Sequence, residues 1–212
     1  GFVFFLFMVI SPQDTSALSN SVVSGLYDSF IEEAYVNLSS VFLKANYTGN
    51  NNCFSIRLSP NMFIYNITNG NSHVKKLSGE NINSNLIGNN LNMENDNIFF
   101  RILISPEFES GNISGCEILN NYELGSVTER QIVSYSALEN ITNKYYSNYE
   151  GLKTDLKVPS TFDFSIVAEK SKSIIMETNV PDSVEIVAQD YIAEVLKKDG
   201  SIINEKFTLM VW

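Results

Sequence analysis

The chain opens with an unbroken run of apolar residues. Nine of them follow Gly1, and four are Phe: Phe2, Val3, Phe4, Phe5, Leu6, Phe7, Met8, Val9 and Ile10. Because burying each such side chain gains roughly 1.5–3 kcal/mol, we expect protein or lipid to cover this segment. Nine helical residues rise only about 14 Å, which is too short for a hydrocarbon core of about 30 Å. With no Met or basic flank before the run, we interpret Gly1 as a mature N-terminus exposed by processing.

The next part of the chain follows a helical period. Apolar residues recur every four positions from Leu18 to Phe42, and a second apolar row from Val23 to Tyr35 lies beside them. Polar residues fill the remaining positions, which is typical of a long amphipathic helix. The pattern therefore predicts one helical unit over residues 1–48, with a hydrophobic tip and an amphipathic shaft.

Short strand-like segments dominate the chain from Asn50 onward. Alternation or apolar runs predict strands at 53–58, 62–67, 98–104, 162–167, 174–178, 184–188, 191–196 and 207–212. Asp199-Gly200 predicts a hairpin turn, the Asn-rich segment 81–97 predicts exposed loops, and 129–149 predicts one short helix. The predicted fold class is α+β: a long N-terminal α-helix followed by an antiparallel β-sandwich head domain over residues 49–212.

Charge and chemistry narrow the functional classes. The net charge of -10 and a pI near 4.6 argue against a nucleic-acid partner. His73 is the only histidine, and it has no neighbouring thiol, so the sequence offers neither a metal-ligand set nor a Ser-His-Asp triad. No phosphate-binding or nucleotide-binding motif occurs. We therefore predict a protein that is not an enzyme and uses no cofactor or metal.

Two cysteines and five sequons indicate an extracellular context. Cys53 and Cys116 lie in Asn-, Ser- and Gly-rich surroundings, which favours a disulfide over two buried thiols in a secreted chain. The bridge would close a loop of about 63 residues and contribute roughly 3–4 kcal/mol in the chain-entropy model. Sequons for N-linked glycans occur at Asn37, Asn46, Asn66, Asn112 and Asn140.

An apolar tip, an amphipathic shaft and a β-rich head resemble the type IV pilin family, including archaeal pilins and archaellins. The residues that carry this resemblance are Gly1-Phe2, the apolar run to Ile10, Pro12 and the predicted helix to Leu43. The resemblance implies a homopolymeric cell-surface filament, stored transiently in the membrane before assembly, with an outward-facing and often glycosylated head. The sequence departs from the family where Phe5 replaces the glutamate of bacterial pilins, and its apolar run is about half the usual length.

Two other interpretations remain open. Phe2–Ile10 could instead form a strand that completes the sheet of a neighbouring subunit, which is donor-strand complementation. Alternatively, the chain could be a monomeric surface adhesin that binds through aromatic side chains such as Tyr145, Tyr146 and Tyr149. All three interpretations place the protein outside the cell.

Overall fold

Strand is the most abundant secondary structure of the chain, at 42% against 21% helix. The computed structural model describes residues 15–64, 71–96 and 98–212. Its elements are α1 (Thr15–Ala34), β1 (Tyr35–Ala45), β2 (Cys53–Arg57), a 3-10 turn (Pro60–Met62), β3 (Asn71–Lys76), β4 (Asn81–Ile82), β5 (Ser84–Ile87), β6 (Asn90–Glu94), β7 (Phe99–Ser105), β8 (Glu117–Ile118), β9 (Tyr122–Leu124), β10 (Thr128–Ser134), α2 (Tyr135–Ser147), α3 (Tyr149–Asp155), β11 (Phe164–Ala168), β12 (Ile175–Met176), β13 (Val187–Leu196) and β14 (Ile202–Val211).

The strands form one large sheet and one small sheet. The large sheet has ten strands in the order β12-β11-β14-β13-β10-β1-β7-β3-β4, with β9 paired to the end of β1. The small sheet has the order β5-β6-β2-β8. Most pairs are antiparallel, but β10 with β13 and β2 with β8 run parallel. The predicted α+β architecture is therefore wrong: the chain folds around a large curled sheet, and not as a long helix followed by a sandwich.

The predicted long shaft ends about ten residues early. Helix α1 stops at Ala34, and the chain continues directly as strand β1. The apolar positions Ala34, Leu38 and Phe42 are spaced by four, which fits one face of a helix and equally one face of a strand. Pairing decides between them, because β1 bonds to β10 on one side and to β7 on the other. A helix over 35–45 would leave β10 and β7 without a partner on the side that β1 now occupies.

One hydrophobic cluster lies between the three helices and the C-terminal half of the large sheet. Helix α1 contributes Phe30, whose ring meets Phe207 of β14 edge-on at 5.4 Å. Tyr27 stacks on Tyr191 of β13 at 3.9 Å. Ser134 caps the N-terminus of helix α2, because its hydroxyl accepts a hydrogen bond from the backbone N–H of Ala137. These contacts hold α1 and α2 on the same face of the sheet.

A second cluster lies between the two sheets. Its members come from the facing strands of both: Val41, Leu43, Phe54, Ile56, Val74, Ile82, Leu91, Met93, Phe100, Ile102 and Ile104. A third, smaller cluster covers the opposite face of the large sheet and includes Leu38, Leu103 and Phe108. Strand β1 contributes to both, because successive side chains alternate between the faces of a strand.

The hairpin turn predicted at Asp199-Gly200 is confirmed, whereas the loops predicted at 81–97 are not found. Gly200 adopts φ +71° in the β13–β14 hairpin, as the Asp-Gly signal predicts. The expected loops at 81–97 are wrong, since β4, β5 and β6 lie there. Gly88, with φ +59°, and Asn89 form a two-residue connection between Ile87 and Asn90, and Leu91 and Met93 alternate after it toward the second cluster.

His73 is half-buried beneath the β13–β14 hairpin. A Cβ atom added to Gly200 would lie 2.4 Å from Cδ2 of His73, and the Phe108 ring centroid lies 5.6 Å from that of the imidazole. Burial lowers the pKa of His73 below its ordinary 6.5, and Lys75 adds to this effect, while Asn81 and Asp199 oppose it. The folded protein therefore favours the neutral imidazole.

We predict that acidification destabilises the fold through His73. The unfolded chain takes up a proton near pH 6.5, whereas the folded chain resists protonation until a lower pH, so the free energy of unfolding falls as pH drops through 6.5. Urea denaturation between pH 7.5 and 5.5 measures this decline. The His73→Gln variant should show a flatter pH dependence, and an identical slope in both proteins would contradict the prediction.

Candidate functional site

The nine apolar residues Phe2–Ile10 lie outside the described residues, so their predicted assembly role stays a prediction. The structure describes the helix that follows them. Among the α1 side chains that the structure describes, which start at Leu18, the first buried one is Val23, whereas Leu18 is 59% exposed. One hydrogen bond, from Gln189 Nε2 to Asn20 Oδ1 at 3.0 Å, ties the first turns of α1 to β13. Residues 18–22, the described side chains of α1 nearest to the apolar segment, therefore lie largely outside the hydrophobic core.

An apolar groove lies on the large sheet, on the face opposite the small sheet. We define it by Phe42 of β1, Leu77 after β3 and Phe99 of β7, which line a cavity of about 450 Å³. Leu124 of β9 also lines this cavity, but it pairs with Leu43 and packs against the second cluster. Phe42, Leu77 and Phe99 are 52%, 62% and 45% exposed. Their strand neighbours Leu43 and Phe100 are buried between the sheets, so the alternation of β1 and β7 directs Phe42 and Phe99 outward.

Charged residues surround the apolar groove. Lys44 Nζ lies 3.0 Å from Glu123 Oε1 across β1 and β9. The Arg101 guanidinium lies 5.9 Å from the ring centroid of Phe42, and its Nε donates to Ser40 Oγ at 3.0 Å. Because the Lys44–Glu123 pair is exposed, it adds little stability. Exposed apolar surface with a polar rim is typical of a protein–protein contact.

One long strand edge is also open. On the side away from β14, β13 pairs with β10 only at Val195 and Leu196. The preceding part of β13, from Val187 to Glu194, has no strand partner on that side among the described residues. Beside this edge, Nη1 of Arg130 in β10 donates to Oε2 of Glu194 in β13 at 2.5 Å. Unpaired edges of this kind accept added strands.

The predicted disulfide between Cys53 and Cys116 is confirmed. The Cα atoms lie 5.2 Å apart and the sequence separation is 63 residues. Cys53 begins β2, and Cys116 directly precedes β8. The bridge therefore fixes the two-residue strand β8 against the small sheet. A disulfide of this kind also indicates a compartment that is not reducing.

The predicted glycosylation sequons differ in their surroundings. Asn46 and Asn112 are exposed in loops, and Asn140 is exposed on α2. Asn37 lies within β1, opposite Gln131 of β10, and is half-buried. Asn66 lies outside the described residues. The sequons at Asn46, Asn112 and Asn140 are thus accessible to solvent, whereas the sequon at Asn37 lies inside a central strand.

Titratable side chains of α2 and α3 are held by an ion pair and by hydrogen bonds. Lys153 Nζ lies 3.1 Å from Asp163 Oδ1, and the Tyr149 hydroxyl donates to the same oxygen at 3.0 Å. Burial raises the pKa of Tyr149 to about 12, which keeps the phenol protonated at neutral pH. Tyr145 is buried and donates to the carbonyl of Phe164 at 2.9 Å. These groups join α2 and α3 to the strand β11.

Two buried carboxylates have hydrogen-bond donors of their own. Glu107 accepts from the backbone N–H of Ser136 at 3.1 Å and from the Ser134 hydroxyl at the start of α2. Glu205 of β14 accepts from the backbone N–H of Lys170 at 2.7 Å and from Ser171 Oγ at 2.5 Å. These donors replace the hydration that each carboxylate loses on folding, and each carboxylate in turn fixes the neighbouring turn.

Comparison with known proteins and structures found no relative of this chain. Models of known protein families, curated proteins and solved structures each gave no match to this chain. Within the described ranges, no group of three or more His, Cys, Asp or Glu side chains is placed to hold a metal ion. No helix in the same ranges is long and apolar enough to cross a membrane.

The sequence interpretation missed the apolar groove. Phe42 was expected on the helical stripe, Phe99 was expected in the strand over 98–104, and Leu77 and Leu124 had no assigned role. These residues come from four separate strands or strand ends, so no local spacing joins them. The available signal is the pair Phe99 and Phe100 in a predicted strand, because adjacent side chains of a strand point to opposite faces and only one of the two rings can join the inner face.

We predict that removing the disulfide destabilises the protein by about 4 kcal/mol, because the unfolded chain regains the entropy of a 63-residue loop. Urea denaturation of the Cys53→Ser/Cys116→Ser double variant measures the loss. Reduced wild-type protein should match the variant, and the variant itself should not respond to reductant. A double variant as stable as the oxidised wild type would contradict the prediction.

We also predict selective glycosylation in a host that attaches N-linked glycans. Asn46 and Asn112 should be occupied, because both are exposed in loops. Asn37 should be unoccupied in folded protein, because it lies in a central strand and the hydroxyl of its sequon residue Ser39 donates to Glu129 at 2.9 Å. Glycopeptide mass spectrometry gives the occupancy of each sequon. Full occupancy of Asn37 in folded protein would overturn this assignment.

Proposed function

We propose that this protein is a structural subunit of an extracellular surface filament. It polymerises with copies of itself through Phe2–Ile10, and the β-rich part faces outward and is available for adhesion. Contact with the membrane is transient and precedes assembly. The resemblance to archaeal-type pilins belongs to this proposal. The shaft is shorter than that resemblance implies, because α1 ends at Ala34.

The observation that carries the proposal is the apolar groove. The chain bears a nine-residue apolar segment that requires a cover, and it also bears an exposed apolar groove of about 450 Å³. We assign part of the Phe2–Ile10 segment of a neighbouring copy to this groove. One chain then supplies both halves of the contact. Such a head-to-tail contact is heterologous and extends into an open polymer.

Two geometries of the joint remain within the proposal. In one, the Phe2–Ile10 segments are helical, pack together along the filament axis and contact the grooves from within. In the other, Phe2–Ile10 is extended and pairs with the open edge of β13 between Val187 and Glu194, which supports donor-strand complementation. Nine extended residues span about 30 Å, which is enough to pair with that edge.

The disulfide and the sequons support the extracellular setting. Cys53 and Cys116 are bonded, and disulfides persist where thiols are not kept reduced. Asn46, Asn112 and Asn140 present exposed amides to solvent, so N-glycans are compatible with the fold at those positions. The acidic net charge of -10 favours a solvated outer surface for a polymer.

We predict that polar substitutions at both halves of the contact weaken assembly. Phe4→Asp or Phe7→Asp should abolish polymerisation, because a charge would enter a buried apolar contact. Phe42→Ser should raise the critical concentration by roughly 10- to 100-fold, since a buried Phe contributes about 1.5–3 kcal/mol. Sedimentation and negative-stain microscopy measure the polymer. Circular dichroism should show that all three variants keep their fold.

The matched control is Ile64→Ser, which removes an apolar side chain that is 87% exposed and lies outside the groove. It should assemble like the wild type. Filaments of normal length from Phe4→Asp and Phe7→Asp would refute the assembly role of the segment. Cryo-electron microscopy traced at residues 1–16 distinguishes the joints: an axial helical bundle supports the first, and an extended segment on β13 supports the second.

A further inference from the structure

A second concave site lies on the small sheet, and strand β9 is the element that it shares with the apolar groove. This cleft encloses about 670 Å³, and its lining includes Arg57 of β2, Ile87, Asn89 and Asn90 of the β5–β6 hairpin, Ile118 of β8 and Tyr122 of β9. The volume lies in the range of small-molecule sites, about 300–1,000 Å³. Arg57 pairs with Asn90 in register, and Ser55 pairs with Ile118. Their side chains therefore share the face of the small sheet that points away from the large sheet.

Covalent and hydrogen bonds hold the walls of the cleft together. The Cys53–Cys116 disulfide fixes β8 beside β2, and Leu119 N–H donates to the Ser55 carbonyl at 2.8 Å. The Tyr122 hydroxyl donates to the Arg57 carbonyl at 2.6 Å. On the other side, Leu58 N–H donates to the Asn89 carbonyl at 2.8 Å. Four separate parts of the chain are thus fixed around one concavity before any ligand binds.

Arg57 gives the cleft an uncompensated positive charge. Its side chain is exposed and has no ion pair among the described residues. A guanidinium presents five N–H donors in a planar fork that matches a carboxylate. The Arg57 guanidinium can therefore form charge-assisted hydrogen bonds with a carboxylate ligand in the cleft.

The remaining lining suits hydroxyl groups and the C–H face of a sugar ring. Side-chain amides of Asn89 and Asn90 both donate and accept hydrogen bonds, as hydroxyl groups do. Oδ1 of Asn89 is shielded and lacks a donor among the described residues, so a rotation of this side chain toward a ligand hydroxyl would satisfy it. Ile118 is 71% exposed and Ile87 is 52% exposed, which provides apolar surface beside the polar groups.

We propose that this cleft binds a carboxylated saccharide. Arg57 receives the carboxylate, the Asn89 and Asn90 amides bind ring hydroxyls, and Ile118 packs against the ring. The site supplies the adhesive contact that the filament proposal leaves unassigned, but it uses none of the residues assigned to assembly. Binding and polymerisation are therefore separable by experiment.

Calorimetric titration of the full chain with trigalacturonate and with 3′-sialyllactose tests the proposal. The neutral counterparts are methyl-esterified trigalacturonate and lactose. We expect at least one acidic probe to bind at least about tenfold more tightly than its neutral counterpart, since charge-assisted hydrogen bonds to Arg57 are lost with the charge. Arg57→Gln should weaken that probe by at least about tenfold, and Arg57→Lys by less.

Asn90→Asp provides a second, independent variant, because it places a negative charge opposite Arg57 in the β2–β6 register and should repel the carboxylate. The charge-matched control is Lys172→Gln, an exposed position outside the cleft, which should bind like the wild type. Near-ultraviolet circular dichroism reports whether each variant keeps its packing. Failure of both acidic probes to bind wild type, or equal binding by Arg57→Gln, would overturn the proposal, whatever the outcome of the assembly experiments.

Discussion

The structure depends on strand β1 being shared between two hydrophobic clusters. Its first half pairs with β10, next to the helices, and its second half pairs with β7 and faces the small sheet. Leu38 and Val41 lie only three residues apart, yet they belong to clusters on opposite faces of the large sheet. Because both faces of β1 are covered over much of its length, its register is strongly specified. The apolar groove exists where this cover ends, at Phe42.

The same strand explains the largest error of the sequence interpretation. A spacing of four residues is shared by helices and strands, so the row through Ala34, Leu38 and Phe42 could not identify the element. Within Tyr35–Ala45, Tyr, Val and Phe favour strands, but the deciding interactions come from β7 and β10, which lie about 60 and 90 residues further along. Local periodicity carries no information about such partners. The strands near the C-terminus were predicted better, because the Asp199-Gly200 turn joins neighbours in sequence.

The small sheet shows a second limit of sequence reasoning. Its Asn-rich segment reads as loops by composition, although Leu86, Leu91 and Met93 carry an alternating pattern that places apolar side chains on the second cluster. The disulfide was predictable because a chain with two cysteines allows only one intrachain pairing. The cleft and the apolar groove were not predictable. Each collects residues from segments that are tens of residues apart, and only the strand order brings them together.

The side chains that carry assembly and binding point in opposite directions. Phe42 and Phe99 face outward from the large sheet, and Arg57 and Asn90 face outward from the small sheet, with the second cluster between these two faces. A subunit that uses the groove for assembly can therefore leave its cleft in solvent. A polymer would repeat the cleft along its length, and a weak site repeated on one scaffold gains avidity by roughly 10²–10⁴-fold without any new contact. An open, shallow cleft with one guanidinium is well suited to that arrangement, because adhesion then needs only modest affinity at each subunit.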